Sequence, residues 1–177
     1  MTLLALLLTL FATKSAASGP LSMAASTQKK ILVVRIGAQE VRRYDVAVGS
    51  KAHPTPGGRF TVKHIIWNPD WVPPDEKWAK GKQPTPPGHP KNPMRGVKIF
   101  FNEPDYYIHG TNDEASIGSA ASHGCIRMSE ADATELARYL MDHNGPKKPD
   151  SWFDQVSEAG KPVSVNLSTG VTFAIGK

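Results

Sequence analysis

The chain has 177 residues, of which 40% are hydrophobic, so it is long enough to bury the core of one domain and too apolar for a disordered tail. Its net charge of +5 comes from basic residues scattered along the sequence, and this pattern lacks the basic stripe that a nucleic-acid-binding protein carries. Fifteen glycines and fifteen prolines indicate many turns and favour short strands over long helices.

The N-terminal residues 1–17 have the pattern of a secretory signal peptide. An apolar run, Leu3 to Ala12, is followed by the small residues Ser15 to Ser18, in the order of an h-region and a cleavage site. The run is shorter than the roughly 20 apolar residues of a membrane span, so we expect no stable span in the mature form. We therefore expect export to the periplasm or cell envelope, with residues 18–28 as a linker and residues 29–177 as a single domain.

The first part of that domain is predicted to consist of strands. Residues 29–36 and 41–48 are rich in β-branched or alternating apolar residues and flank a short turn, which predicts a hairpin. Residues 59–66 predict a third strand, with Phe60, Val62, His64 and Ile66 on one face.

Residues 67–93 have no hydrophobic periodicity and contain eight prolines and three tryptophans. A loop of this length inside one domain is usually functional or disordered, and disordered segments are poor in tryptophan. We therefore predict an ordered flap, packed by its own aromatic residues, that forms one wall of a substrate cleft. A proline-rich linker between two small domains is the alternative.

The second part of the domain is predicted to contain further strands and one principal helix. Residues 96–101 and 106–109 predict two strands, and the second ends at His109. Ser129 fits the N-cap of a helix that ends near Asn144 and has one apolar face. Residues 163–167 and 171–175 predict the last two strands, so a mainly β fold is expected.

The stretch from Ile108 to Met128 contains the side chains that could take part in catalysis. It contains the only cysteine, Cys125, and two of the six histidines, His109 and His123. A thiol is a nucleophile only as the thiolate, and a neighbouring imidazole can take its proton. His123 lies two residues from the cysteine and His109 lies at a strand end, and spacing alone does not choose between them as the base.

Further features of this stretch suit acyl transfer better than metal binding. Gly124 would allow a tight turn in which its N–H and that of Cys125 converge on an oxyanion. Arg127 is placed to bind a substrate carboxylate. Zinc bound by His109, His123 and Cys125 is the rival chemistry, but the spacing is not that of a known zinc motif, and we expect no metal.

The sequence of this stretch also resembles the motif of a known protein family. The run I-H-G-T…S-H-G-C-I-R-M resembles the motif of L,D-transpeptidase catalytic domains of the YkuD type, in spacing and in identity. The similarity extends to V-A-V-G in the hairpin, to T-P-G-G-R-F (55–60) and to P-P-G-H-P-K-N-P-M (86–94). It implies a β-sandwich-like mixed sheet with a helix beside the catalytic cysteine.

The resemblance also implies residue roles in an exported enzyme that remodels peptidoglycan without a metal or cofactor. Cys125 would attack the diaminopimelate carbonyl of a stem peptide and release D-alanine, and His109 would be the general base. Ser122 or the carbonyl of Gly110 would orient that base. The remaining assignments, to the oxyanion and substrate-binding site, are Ser122, His123, Gly124 and Arg127.

The resemblance leaves the acceptor of the acyl group open. An amine of another stem peptide, a lipoprotein or a free D-amino acid would make the protein an acyltransferase, whereas water would make it an L,D-carboxypeptidase. A non-catalytic peptidoglycan-binding protein on the same fold is the third alternative. Carbapenem-type inhibitors are expected to acylate Cys125.

Overall fold

The computed structural model of the chain describes residues 17–177. The predicted signal segment, residues 1–17, lies outside these described residues apart from Ala17. Within residues 17–177, none of the helices has the length and apolar character needed to cross a membrane.

Ten strands account for most of the regular structure of residues 17–177, and eight of them form one mixed sheet. In chain order they are β1 (Leu21–Ser26), β2 (Ile31–Ile36), β3 (Gln39–Asp45), β4 (Val48–Gly49), β5 (Gly58–Trp67), β6 (Arg95–Asn102), β7 (Tyr106–Gly110), β8 (Ala120–Ser122), β9 (Ile126–Met128) and β10 (Val163–Gly176). The sheet has the order β3-β2-β1-β10-β5-β6-β7-β9, and β4 pairs with β8 separately. The predicted mainly β fold is confirmed.

Two helices follow the cysteine, α1 (Glu130–Asn144) and α2 (Asp150–Glu158). The predicted cap of α1 is confirmed, because the Ser129 hydroxyl accepts a hydrogen bond from the Asp132 N–H at 3.0 Å. The apolar face of α1 is fully buried in the main core with Ala133, Leu136, Ala137, Leu140 and Met141. This face fixes the position of the chain that leads out of the cysteine loop.

The sequence did not predict α2, a short helix that buries only Phe153 and Val156. The ring of Phe153 packs 5.3 Å from that of Trp67, at the end of β5. Three apolar residues in nine, Trp152, Phe153 and Val156, are too weak a periodic signal to identify a helix, and the packing against Trp67 is visible only in three dimensions.

The prediction that residues 18–28 form a linker is wrong, because β1 lies inside the main sheet. It pairs antiparallel with β2 and parallel with β10. Its inward side chains, Leu21, Met23 and Ala25, are buried and alternate with partly exposed residues. The period of two is therefore present, but small and polar residues conceal it in the composition.

The last strand and the alternation of side chains along β5 also differ from the predictions. Residues 163–167 and 171–175 belong to the single strand β10, which bulges between Asn166 and Val171. Opposite this bulge the inward face of β5 changes phase, so Ile65 and Trp67 are buried after Val62. The predicted hairpin of β2 and β3 is confirmed, with β3 ending at Asp45.

Candidate active site

The parallel pairing of β7 with β9 places the predicted catalytic residues on one face. Ile108 pairs with Ile126, and both are fully buried in the core. Because side chains alternate along a strand, the residues on either side of these isoleucines point to the opposite face. That face lines a cleft and carries Tyr107, His109, Cys125 and Arg127.

The cleft has a volume of about 1470 Å³ and is bounded on one side by the flap, residues 67–93. Ligand pockets commonly enclose about 300–1,000 Å³, so this cleft has room for an extended substrate. Within the flap, Trp71 is buried and its backbone exchanges two 2.9 Å hydrogen bonds with Thr85. The structure thus places the flap as a wall of the cleft, as predicted.

His109 lies at the end of β7, is 3% exposed, and is oriented by the next residue. Its Nδ1 lies 2.8 Å from the carbonyl oxygen of Gly110. A carbonyl can only accept, so Nδ1 carries the proton and the neutral ring keeps a lone pair on Nε2. Burial lowers the pKa of His109 to about 4, assisted by the charges of Arg127 and Lys98 and opposed by the Gly110 carbonyl.

Gly110 is needed at this position because two other backbones approach it. A Cβ there would lie 2.5 Å from the carbonyl oxygen of Arg95 and 3.0 Å from the Cα of Glu130. The glycine therefore lets the first turn of α1 pack against the strand that carries the base. Of the two groups predicted to orient His109, the Gly110 carbonyl makes the contact.

Cys125 is a half-buried free thiol between β8 and β9. Its Sγ donates a hydrogen bond to the carbonyl oxygen of Asp105 at 3.4 Å. Burial raises the pKa of the thiol to about 11, although a backbone hydrogen bond from Tyr107, the charge of Lys98 and the Tyr107 side chain each lower it. The cysteine is therefore a neutral thiol, and among residues 17–177 no hydrogen bond joins it to His109.

Ser122 braces the turn that carries the cysteine. Its hydroxyl donates to the Cys125 carbonyl oxygen at 2.5 Å and accepts from the Gly124 N–H at 3.1 Å. Gly124 has a φ of +109°, and a Cβ there would lie 2.8 Å from the ring of Tyr106. Ser122 thus shapes the turn, and within residues 17–177 its hydroxyl makes no hydrogen bond to His109.

The hydrogen bond between Ser122 and the Gly124 N–H changes the expected oxyanion site. The Gly124 N–H was predicted to converge with that of Cys125 on an oxyanion, but it is already bonded to Ser122. The Cys125 N–H donates to no acceptor within the described part of the chain. Of the two predicted donors, the Cys125 N–H is the one left to stabilise an oxyanion.

His123 faces the flap. Its ring stacks on Trp78 with centroids 3.9 Å apart and an angle of 18° between the planes, and the ring of His53 lies 4.9 Å away. Burial lowers the pKa of His123, and the charges of His53, Lys82 and Arg127 lower it further. His123 therefore links the flap to the cysteine loop, and the assignment of His109 as the base stays a prediction.

Arg127 follows the cysteine by two residues, and its half-buried guanidinium lines the cleft. Its Nη1 lies 3.5 Å from the Asp113 carboxylate and 3.4 Å from the Ser116 hydroxyl. These contacts restrict the side chain before any ligand binds. Its predicted role toward a substrate carboxylate stays a prediction.

Tyr107 and Lys98 also line the cleft, and neither was predicted from the sequence. Tyr107 precedes His109 by two positions in β7, so the alternation of the strand already placed it on the same face. Lys98 pairs with His109 across β6 and β7, a contact that only the register reveals. Within residues 17–177, no three His, Cys, Asp or Glu side chains lie close enough together to hold a metal ion.

Comparison with known proteins gives a consistent picture. The model of the YkuD family, described as the L,D-transpeptidase catalytic domain, matches residues 23–165. The chain is 32% identical over 118 residues to YkuD of Bacillus subtilis, a match that covers 67% of this chain and 59% of that protein. It is 33% identical over 114 residues to ErfK/SrfK of Salmonella typhimurium, covering 60% of this chain and 35% of that protein. The chain thus spans about half the length of the curated relatives it matches.

Solved structures share the fold. An L,D-transpeptidase from Mycobacterium smegmatis superposes with a TM-score of 0.55 at 16% identity, over 88% of this chain and 58% of that chain. L,D-transpeptidase 3 from Mycobacterium tuberculosis, solved with a faropenem-derived adduct, gives a TM-score of 0.54 at 16% identity, over 89% of this chain and 60% of that chain.

Proposed function

The chain belongs to the L,D-transpeptidase catalytic domain family, and from this membership we propose that it is a cysteine-dependent acyltransferase acting on peptidoglycan stem peptides. One observation supports the proposal most strongly. The free thiol of Cys125 and the imidazole of His109 occupy the same face of adjacent strands and line the same cleft, and Nε2 of the imidazole is unprotonated.

The first half of the proposed reaction forms a thioester. The thiol rotates away from the Asp105 carbonyl and gives its proton to Nε2 of His109 as its sulfur attacks the diaminopimelate carbonyl carbon of the donor stem. The Cys125 N–H stabilises the resulting oxyanion. When this intermediate collapses, the carbon–nitrogen bond breaks and the imidazolium protonates the departing D-alanine.

The pKa values of the two groups support a concerted proton transfer. The thiol pKa is raised to about 11 and the imidazole pKa is lowered to about 4, so the neutral pair is favoured over the thiolate–imidazolium pair. The base therefore acts during the attack and does not form a stable ion pair beforehand.

The second half of the proposed reaction transfers the acyl group. An amine attacks the thioester carbonyl, His109 takes the proton of that amine, and the thiolate leaves and regains a proton. Room for this second substrate is consistent with the 1470 Å³ cleft, and Arg127 is placed to bind a carboxylate of donor or acceptor. Water in place of the amine gives the alternative L,D-carboxypeptidase reaction.

Export to the periplasm or cell envelope is part of the same proposal. It is supported by the signal-like pattern of residues 1–17 and by the location of the proposed substrate outside the cytoplasm. Cell fractionation with N-terminal sequencing of the mature protein tests it. Recovery of an unprocessed protein in the cytoplasm alone would contradict it.

A muropeptide assay tests the proposed reaction. Purified disaccharide-tetrapeptide is incubated with the wild-type protein and with Cys125→Ala, and the products are separated by chromatography and mass spectrometry. Cross-linked dimers, or exchange of the terminal residue for an added D-amino acid, are expected with the wild type only. Tripeptide as the only product would assign the hydrolytic reaction. Binding to isolated wall without turnover by either protein would indicate a non-catalytic binding protein.

We extend the proposal to β-lactam inhibitors of the carbapenem type. L,D-transpeptidase structures that share this fold have been solved with a faropenem-derived adduct and with imipenem. The carbonyl carbon of a β-lactam is an electrophile for the thiol, as is the diaminopimelate carbonyl carbon of the stem peptide. Incubation with imipenem is expected to add one inhibitor mass to the wild-type protein and none to Cys125→Ala.

A further inference from the structure

Lys98 is a half-buried cation of the cleft that forms no salt bridge among the described residues. It lies on β6 and forms no ion pair with a carboxylate anywhere in residues 17–177. Burial lowers the pKa of Lys98, whereas the charges of Asp70 and Cys125 raise it. Asp70, in the flap, therefore offsets only part of the cost of removing this ammonium from water, and an ammonium that is partly desolvated without a salt bridge destabilises the fold.

The sheet places this ammonium in the same cleft as the proposed nucleophile. Lys98 pairs with His109 across β6 and β7, and both side chains line the cleft with Cys125. The Nζ of Lys98 lies 5.1 Å from the ring centroid of Tyr107, within the range of a cation–π contact. That ring in turn lies 5.6 Å from the imidazole of His109 in an edge-to-face arrangement. Aromatic packing therefore restricts the lysine on the cleft side of the sheet.

Tyr107 connects the lysine to the sulfur. The backbone N–H and the side chain of Tyr107 lower the pKa of the Cys125 thiol, and so does the charge of Lys98. Conversely, the pKa of the Tyr107 hydroxyl is raised, first by burial and then by the negative charge that Cys125 can carry. The hydroxyl therefore stays protonated and is available as a hydrogen-bond donor to sulfur.

We propose that Lys98, held over the ring of Tyr107, is a positioning residue that stabilises negative charge on the Cys125 sulfur. The inference rests on the proposed function only in taking Cys125 as the nucleophile. The charge acts when sulfur attacks a substrate and again when sulfur leaves the thioester, because both steps place negative charge on it. Lys98 exchanges no proton with the substrate.

The other charged or titratable groups around the sulfur do not replace this cation. Arg127 approaches from β9 and also lowers the pKa of the thiol, but less than Lys98 does, and its guanidinium lies 3.5 Å from the Asp113 carboxylate. His109 approaches from β7 and is neutral, since its pKa lies near 4. Asp105, in the turn before β7, offers the thiol its backbone carbonyl, and its carboxylate disfavours negative charge nearby.

The rate of thiol alkylation tests the proposal without a peptidoglycan substrate. Iodoacetamide reacts with the thiolate. The pKa of the Cys125 thiol is raised to about 11, so from about pH 6 to 9 the alkylation rate is proportional to the small thiolate fraction and falls when that pKa rises. Lys98→Met removes the charge and keeps much of the apolar stem, and we expect it to raise that pKa by about 1 unit. A pKa higher by about 1 unit lowers the thiolate fraction at pH 8 about tenfold. A thiolate of higher pKa is also about threefold more nucleophilic, so alkylation should slow by only about threefold to fourfold.

Three further variants separate an electrostatic effect from a structural one. Lys98→Arg should restore the wild-type pH profile, and Tyr107→Phe should raise the thiol pKa by a smaller amount through loss of the hydroxyl. Lys161→Met removes one exposed lysine outside the cleft and should leave the profile unchanged. The thermal midpoint of Lys98→Met should equal or exceed that of the wild type, since the substitution removes a partly buried charge that forms no salt bridge with the described residues.

A Lys98→Met profile that superposes on the wild-type profile would overturn the inference. The same holds if Lys161→Met shifts the profile as much as Lys98→Met does. An increased KM for stem peptide with an unchanged alkylation profile would also overturn it, because Lys98 would then bind substrate. Failure of the muropeptide assay alone would contradict the proposed function and leave this inference standing.

Discussion

The Nδ1 of His109 lies 2.8 Å from the carbonyl oxygen of Gly110, and this contact leaves Nε2 as the nitrogen that can accept a proton. The contact is between consecutive residues, so β7 itself sets the tautomer of the base. Parallel pairing then brings β9 alongside, with Cys125 directly before its first residue. The base is therefore oriented whether or not the thiol has turned toward it.

The first prediction concerns this base. His109→Gln preserves a polar side chain of similar length but removes the proton acceptor, so kcat/KM for a tetrapeptide donor should fall by about 10²–10⁴. His123→Gln is the matched control, since it changes a histidine that faces the flap. A larger loss in the His123 variant than in the His109 variant would assign the base to His123.

The second prediction concerns the pH dependence of stability. The pKa of His109 is lowered from 6.5 to about 4 in the folded protein, so between these values the unfolded chain binds more protons. The stabilisation is complete above pH 6.5 and is lost as the pH falls toward 4. It amounts to about 3 kcal/mol of unfolding free energy between pH 7 and pH 4.

Urea unfolding at pH 7, 5 and 4 measures this effect in the wild type and in His109→Gln. Carboxylates titrate in both proteins, so the difference between the two isolates the histidine. The wild type should lose about 3 kcal/mol more than the variant between pH 7 and pH 4. Equal losses would show that the imidazole is not held neutral by burial.

The third prediction concerns the turn at Gly124. Alanine there would adopt a φ of +109° and would place Cβ 2.8 Å from the ring of Tyr106. We expect Gly124→Ala to lower stability by about 1–3 kcal/mol and to reduce activity at least about tenfold, because the Cys125 N–H would shift. Gly118→Ala is the control, since Gly118 has a φ of +83° but open space around the added Cβ. Equal effects of the two substitutions on activity would remove the argument for the turn.

The fourth prediction concerns the contact between flap and cysteine loop. Trp78→Ala removes the ring that stacks on His123 at 3.9 Å, while Trp78→Phe keeps an aromatic ring there. An aromatic pair contributes roughly 0.5–1.5 kcal/mol, so the alanine variant should raise KM about twofold to tenfold with a smaller change in kcat. The phenylalanine variant should lie near the wild type. An unchanged KM in Trp78→Ala would show that the flap does not contribute to the substrate site.

The sequence predicted most of the site because its residues are close together in the chain. His109, Cys125 and Arg127 lie within nineteen residues, and the motif around them is specific. The apolar face of α1 was equally clear, since its period of 3.6 is carried by large residues. In contrast, β1 was missed because serine and alanine conceal its alternation.

The features that the sequence could not provide depend on register and on competing hydrogen bonds. Lys98 lies eleven positions from His109 and meets it only through the pairing of β6 with β7. The Gly124 N–H was expected to be free, and only the structure shows that Ser122 occupies it. Such competition among neighbouring donors and acceptors leaves no trace in spacing.

One measurement tests the central claim most directly, namely that Cys125 carries the acyl group between donor and acceptor. The protein is mixed with disaccharide-tetrapeptide, quenched with acid after less than one turnover, and analysed by intact-mass spectrometry and peptide mapping. We predict an added mass equal to the donor minus D-alanine, located on Cys125 and absent from Cys125→Ala. Product formation by the wild type with no such adduct, or an adduct that persists in Cys125→Ala, would contradict the claim.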